Sequence, residues 1–216
     1  MPHAVVAPSL LAANHGEFAQ GVRIVEEAGL AWLHLDIMDG HFVPNISFGP
    51  QVVADLRPLT KLHFDVHLML TNPDRFVAAF AQAGAERLTV HVEADHDVGA
   101  TLAAIKSHGM SAGIAMNPDT DPRRLLPYLD SVDLALCMTV FPGFGGQAFI
   151  PSVLKSIELL AAERDKRGAN FRIEVDGGIN VETGRQCRAA GADTFVAGTA
   201  FFKSPDRKAF ALQLTA

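Results

Sequence analysis

The chain has 216 residues, 49% of them apolar and 19% charged, which suits a folded globular protein and excludes a disordered one. Against 24 acidic side chains stand 18 basic ones, and the net charge of −6 argues against nucleic acid or an anionic membrane as the main partner. Two cysteines, Cys137 and Cys187, are too few for a disulfide framework, and no apolar run reaches the ~18 residues of a membrane span. The N-terminal stretch has no basic region ahead of its apolar run and is interrupted by Pro8. No secretory signal is read there, so a cytoplasmic location with reduced, buried thiols is expected.

The first apolar run, 4–8, ends at Pro8-Ser9. A helical pattern follows, stops at Gly29, and gives way to a second apolar run at 31–36. Further runs lie at 62–67, 87–91, 111–115, 132–137, 171–176 and 193–197. Each is short, apolar and flanked by turn residues, the pattern of a strand buried on both faces. Gly29, Gly84, Gly109, Gly168 and Gly191 precede five of these runs, at gaps of 55, 25, 59 and 23 residues. Glycine is favoured just past a helix C-terminus because it accepts positive φ. Pro58 and Asp130 fall near the missing stops. Asn72-Pro73, Asp121-Pro122 and Ser204-Pro205 each read as a capping residue with proline at the first helical position. Eight strands alternating with eight helices, and no linker, predict one closed α/β barrel of (β/α)₈ type over residues 1–216, at 27 residues per unit. The alternative, an open doubly wound sheet, wants a glycine-rich turn after the first strand, where this chain has Pro8-Ser9-Leu10.

In such a barrel the chemistry gathers at the C-terminal ends of the strands. Polar residues crowd there and are sparse elsewhere in the runs. His34 and Asp36 share one face of the second strand, Asp65 and His67 one face of the third, and Glu174 and Asp176 one face of the seventh. If His34, Asp36, His67 and Asp176 point inward, two imidazoles and two carboxylates converge as a site for one divalent metal ion, Zn²⁺, Fe²⁺, Mn²⁺ or Co²⁺. His91 and Glu93 are read as residues of the rim or of the layer behind the ligand candidates. After the sixth strand, Pro142 to Gln147 gathers Gly143, Phe144, Gly145 and Gly146. Gly177, Gly178, Gly198 and Thr199 follow the seventh and eighth strands. Three adjacent glycine turns let backbone N–H groups approach an anion, so a phosphate cradle is expected. Met38, Met69 and Met138 also sit at strand ends and read singly as core filler.

Together these segments resemble the ribulose-phosphate 3-epimerase family (pentose-5-phosphate 3-epimerase). The resemblance spans nearly the whole chain and is carried by APS at 7–9, HLDIMDGHFVPN at 34–45, DVHLM at 65–69, PGFGGQ with FIP at 142–151, IEVDGGI at 173–179 and AGTA at 197–200. It implies a TIM barrel of the ribulose-phosphate-binding type, an isomerase of the pentose phosphate pathway, and one catalytic metal ion on His34, Asp36, His67 and Asp176. It implies that Asp36 and Asp176 are the acid–base pair that epimerises D-ribulose 5-phosphate and D-xylulose 5-phosphate through an enediolate. It places Ser9 and His67 on the substrate, Gly143 to Gly146, Gly177, Gly178, Gly198 and Thr199 around its phosphate, and turns the three methionines into a lining of the site. Phe141 stands where a polar residue is expected, and Thr199 where Ser is commoner.

An allulose-6-phosphate 3-epimerase shares much of this pattern, and a non-catalytic sugar-phosphate-binding barrel would keep the cradle without needing two facing carboxylates. A metal-free decarboxylase of this barrel type would want Asp-x-Lys-x-x-Asp, and a Schiff-base aldolase a lysine at a strand end. Neither is present, because Lys61, Lys106, Lys155, Lys166, Lys203 and Lys208 read as helix or loop. The expected partner is a small-molecule sugar phosphate, with no nucleic acid and no membrane; assembly into a homo-oligomer is left open. With so few residues per unit, the long loops 37–48 and 138–150 are expected to close over the substrate.

Overall fold

A computed structural model describes residues 3–215. Eight parallel strands run in the order expected: β1 (Val5–Pro8), β2 (Trp32–Met38), β3 (His63–Met69), β4 (Arg87–His91), β5 (Ser111–Met116), β6 (Leu134–Met138), β7 (Arg172–Asp176) and β8 (Thr194–Ala197). Every strand hydrogen-bonds its neighbours in sequence, and β8 pairs with β1. The remaining joint, β1 to β2, is a single parallel bridge between Ser9 and His34. That bridge turns the sheet into a nearly closed ring with helices outside.

Alternation along the strands builds two cores. Leu33, Leu35, Phe64, Val66, Leu88, Ile114, Ile173 and Phe195 point outward and pack under the helices, nearly free of solvent. The inward positions are polar to an unusual degree: His34, Asp36, Asp65, His67, Thr89, His91 and Glu174 are all buried. The lower end is plugged by the ring of Trp32, with His63 tilted against it at 4.5 Å and the Arg87 guanidinium 4.5 Å from its centroid.

Gly113 in β5 exists for this interior. A Cβ there would stand 2.2 Å from Thr89 Oγ1 and 2.9 Å from Thr89 Cβ, across the β4–β5 ladder. Gly113→Ala is expected to destabilise the fold by roughly 1–3 kcal/mol through overpacking. Denaturant unfolding checks it: the loss should shrink when Thr89→Ala is added, and an unaffected midpoint in the single variant would count against the close approach.

The five helix-stop glycines all have positive φ, from 59° at Gly168 to 113° at Gly191. The expected eight-helix alternation fails at one crossover. Between β5 and β6 the chain forms a 3-10 helix, Pro122–Tyr128, capped by the Asp121 carboxylate on the Arg123 N–H. Pro127 lies inside it, and its ring and missing N–H oppose a regular α-helix at that point. Asn72-Pro73 likewise opens a 3-10 turn, Pro73–Phe76, before the helix Val77–Gln82. The last helix, Arg207–Thr215, starts beyond Ser204-Pro205 because Asp206 accepts from the Ala209 N–H and caps it. A short helix, Thr199–Phe202, follows β8 directly. Among the described residues, no helix is long and apolar enough to cross a membrane.

Candidate active site

The β2–β3 ladder stacks the polar side chains in layers. His34 pairs with Asp65, Asp36 with His67, and Met38 with Met69. Each step of two residues rises toward the C-terminal mouth, so the imidazole of one strand always lies beside a carboxylate of the other.

In the upper polar layer the structure brings together all four expected ligand residues. Donor atoms of His34, Asp36, His67 and Asp176 lie within 4.8 Å of one another. Asp36 Oδ1 is 3.4 Å from both His34 Nε2 and His67 Nδ1, and Asp176 Oδ2 is 4.0 Å from His67 Nδ1. The Ser9 hydroxyl donates to Asp36 Oδ2 at 2.5 Å. His34 Nε2 is buried without a hydrogen-bond partner among the described residues. A buried imidazole nitrogen with no hydrogen-bond partner, beside carboxylates, could take a divalent cation.

One layer lower, His34 Nδ1 lies 2.8 Å from Asp65 Oδ2, and Arg87 approaches Asp65 Oδ1 at 3.5 Å. Glu174 completes this layer, fully buried. Burial and the Asp65 charge push its carboxyl well above the usual range. Burial resists ionisation of Asp65 too, but the His34 hydrogen bond and charge and the Arg87 charge outweigh it and hold Asp65 below the ordinary range.

The two upper carboxylates have opposite proton affinities. Burial disfavours the Asp36 charge, but His34 and His67 more than compensate and hold it far below the usual carboxylate range. Burial first and the Asp36 charge second raise Asp176 to about 7. Burial lowers His67 to about 4, while Asp36 and Asp65 outweigh burial at His34 and raise it.

Above this layer opens a cavity of about 300 Å³. Asp36 and Asp176 form its floor with Ser9, and Met38, Met69 and Met138 surround them. Gly143, Phe144, Gly145 and Gly146 line one wall, Gly177 and Gly178 the next, and Gly198 and Thr199 the third. His34 and His67 are wholly buried beneath the floor and do not line the cavity. Gly178 shows why this wall is glycine: its φ is +63°, and a Cβ would meet the Phe149 backbone N at 2.8 Å. Asn45 Nδ2 donates to the Gly143 carbonyl at 2.7 Å and joins the two long loops. Gln147 Nε2 holds the cradle loop from inside through the carbonyls of Phe141 and Phe144, at 2.6 and 2.9 Å. Phe141 is half-exposed and lies outside the lining, so the departure at this position leaves the cavity wall unchanged.

Of the two places expected for His91, the rim or the layer behind the ligand residues, the structure shows the second. It is fully buried and lies against His67, at 2.8 Å between the two Nε2 atoms. Glu93, behind it, is partly buried.

The chain matches the model of the ribulose-phosphate 3 epimerase family over residues 5–202. It is 47% identical to a ribulose-phosphate 3-epimerase of Bacillus subtilis, covering 94% of each chain, and 47% identical to one of Synechocystis, covering 94% of this chain and 89% of that one. A chloroplastic ribulose-5-phosphate-3-epimerase of Arabidopsis thaliana is 45% identical, with 94% of this chain and 73% of the relative covered. Among solved structures, a tryptophan synthase alpha-subunit from Pyrococcus furiosus superposes with a TM-score of 0.68 at 15% identity, over 99% of this chain and 96% of that one. Tryptophan synthase of Mycobacterium tuberculosis gives 0.67, also at 15% identity, over 99% and 91%. Likeness at that identity speaks for the barrel alone. The sequence matches go further: the chain belongs to the ribulose-phosphate 3-epimerase family, epimerases of the isomerase class.

Proposed function

We propose that this protein interconverts D-ribulose 5-phosphate and D-xylulose 5-phosphate by moving a proton at the third carbon between Asp36 and Asp176. The observation that carries this reading is the pair itself: two carboxylates on one cavity floor, one held ionised and the other raised to about 7. Environments that drive paired carboxyls apart assign one as base and the other as acid. The two come from β2 and β7, with β1 and β8 between them, so they reach the cavity from different sides. Asp36 takes the proton in one direction and Asp176 supplies its replacement, with roles exchanged in the reverse.

His34, Asp36, His67 and Asp176 would hold one divalent cation, Zn²⁺, Fe²⁺, Mn²⁺ or Co²⁺. When bound, the ion supplies Lewis-acid stabilisation of the negative charge that develops on the substrate oxygens. Ser9, donating to Asp36, fixes which carboxylate oxygen is free for the substrate. The three methionines present polarizable sulfur and no strong donor, so they exclude water from the carbanion without protonating it. The glycine turns at 143–146, 177–178 and 198–199 seat the phosphate through backbone N–H groups.

Incubation with ribulose 5-phosphate in D₂O tests the reading. Deuterium is expected at the third carbon when Zn²⁺ or Mn²⁺ is supplied, and no exchange with metal present removes the epimerase reading. Running allulose 6-phosphate beside it sets the sugar preference. Because Asn45 already ties loop 37–48 to loop 138–150, a bound substrate analogue is expected to slow proteolysis in both loops together. Unchanged cleavage in both would count against closure over the substrate.

A further inference from the structure

Behind His67 stands a histidine that the chemistry above leaves unused. The ring of His91 meets that of His67 edge to edge, with centroids 5.0 Å apart and planes 26° from parallel. Their Nε2 atoms are 2.8 Å apart. At that distance one nitrogen donates a proton and the other accepts it, so the two tautomers are locked together.

Which way the proton points is decided one residue further out. His91 Nδ1 lies 3.0 Å from Glu93 Oε2. The other Glu93 oxygen accepts from the Asn117 backbone N–H at 2.8 Å and from the Thr120 hydroxyl. Burial resists the charge on Glu93, but the His91, Thr120 and Asn117 bonds outweigh it and hold the carboxyl below its usual range. An ionised carboxylate only accepts, so His91 carries its proton on Nδ1 and shows a lone pair at Nε2. His67 must then donate from Nε2. Its Nδ1 is left bare, 3.4 Å from Asp36 Oδ1 and 4.0 Å from Asp176 Oδ2.

We propose that Glu93 and His91 are positioning residues, a relay that fixes the tautomer of His67 so that its Nδ1 lone pair faces the cation site. For His34 the same task takes one step. Asp65 accepts from Nδ1 at 2.8 Å, which leaves Nε2 as the nitrogen turned to the cation site. The two ligand histidines thus offer opposite ring atoms, each set by a carboxylate on its far side. This inference rests on the cation reading above.

The full-length protein, labelled with ¹⁵N-histidine and stripped of metal by a chelator, supplies the first test. Long-range ¹H–¹⁵N correlation near pH 8 reports which ring nitrogen carries the proton. His67 is expected as the Nε2–H form, and a proton on its Nδ1 overturns the relay without any variant. Glu93→Gln is the second test. Asn117 N–H and the Thr120 hydroxyl retain the amide oxygen, so the amide NH₂ turns to His91 and donates to its Nδ1. His91 then protonates at Nε2, His67 at Nδ1, and the donor atom is blocked. The expected result is the reversed tautomer with Zn²⁺ binding weakened about 10-fold or more, read by competition with a chromophoric chelator. A Glu93→Gln protein that keeps both the wild-type tautomer and the wild-type Zn²⁺ affinity sinks the proposal. Failure of the unmutated protein to bind Zn²⁺ overturns the cation reading instead, and the tautomer measurement separates the two.

Discussion

Asp36→Asn is expected to abolish epimerisation and to leave the barrel standing. The carboxylate is the meeting point of the site: Ser9 donates to one oxygen at 2.5 Å, and His34 and His67 approach the other at 3.4 Å. An amide fills the same volume and still accepts from Ser9, so packing survives. It cannot take up a proton at neutral pH, and it is a poor substitute for a charged ligand between two imidazoles. Loss of a positioned base alone costs up to about 10⁴-fold, and the lost ligand adds to that. A coupled assay for xylulose 5-phosphate formation gives the rate, and circular dichroism monitors the fold. Turnover within 10-fold of wild type in a well-folded variant would rule out the two-carboxylate scheme.

Asp176→Asn should cost a similar factor in turnover, and it should also make the metal-free protein more stable. Burial and the facing Asp36 raise the Asp176 carboxyl from its usual 3.8 to about 7. The folded chain therefore holds this proton more tightly than the unfolded chain. The stabilisation is complete below pH ~4 and is lost as pH climbs through about 7. A rise of that size corresponds to about 4 kcal/mol. Asparagine cannot ionise and keeps the neutral arrangement at every pH. In a chelator, melting temperatures of the two proteins should coincide near pH 4 and separate toward pH 8, with the variant higher by several degrees. Excess Zn²⁺ should narrow the gap, because only the wild type would offer all four proposed ligands. Equal melting at pH 8 in the chelator would show that the two carboxylates do not strain one another.

The strands were legible because a strand buried on both faces must be a short apolar run, and glycine stops separate the runs from the helices. The two-residue alternation put His34 with Asp36 and Asp65 with His67 on shared faces, and their convergence with Asp176 was legible only on the condition that those faces point into the barrel. The crossover at Pro122–Tyr128 was misread because Asp121-Pro122 signals a helix start, and the second proline at 127 acts only after the start is made. His91 stayed undecided between the rim and the layer behind the ligand residues for a geometric reason. By register His67 pairs with Thr89, so a flat sheet would seat His91 two residues higher, at the rim. The tilt of barrel strands carries its ring back onto His67, and tilt leaves no trace in one sequence.

The joint between β1 and β2 has a consequence for how the ring breathes. Seven seams are laced along their length, and the eighth is held by the backbone bridge of Ser9 to His34 and by the Ser9 hydroxyl on Asp36. The four-residue cluster straddles that seam, with β2 and β3 on one side and β7 on the other. A cation held there would act as a clasp across the weakest seam, so opening of the ring and escape of the ion become one event. Slow amide exchange at the seam and slow release of metal should then rise and fall together.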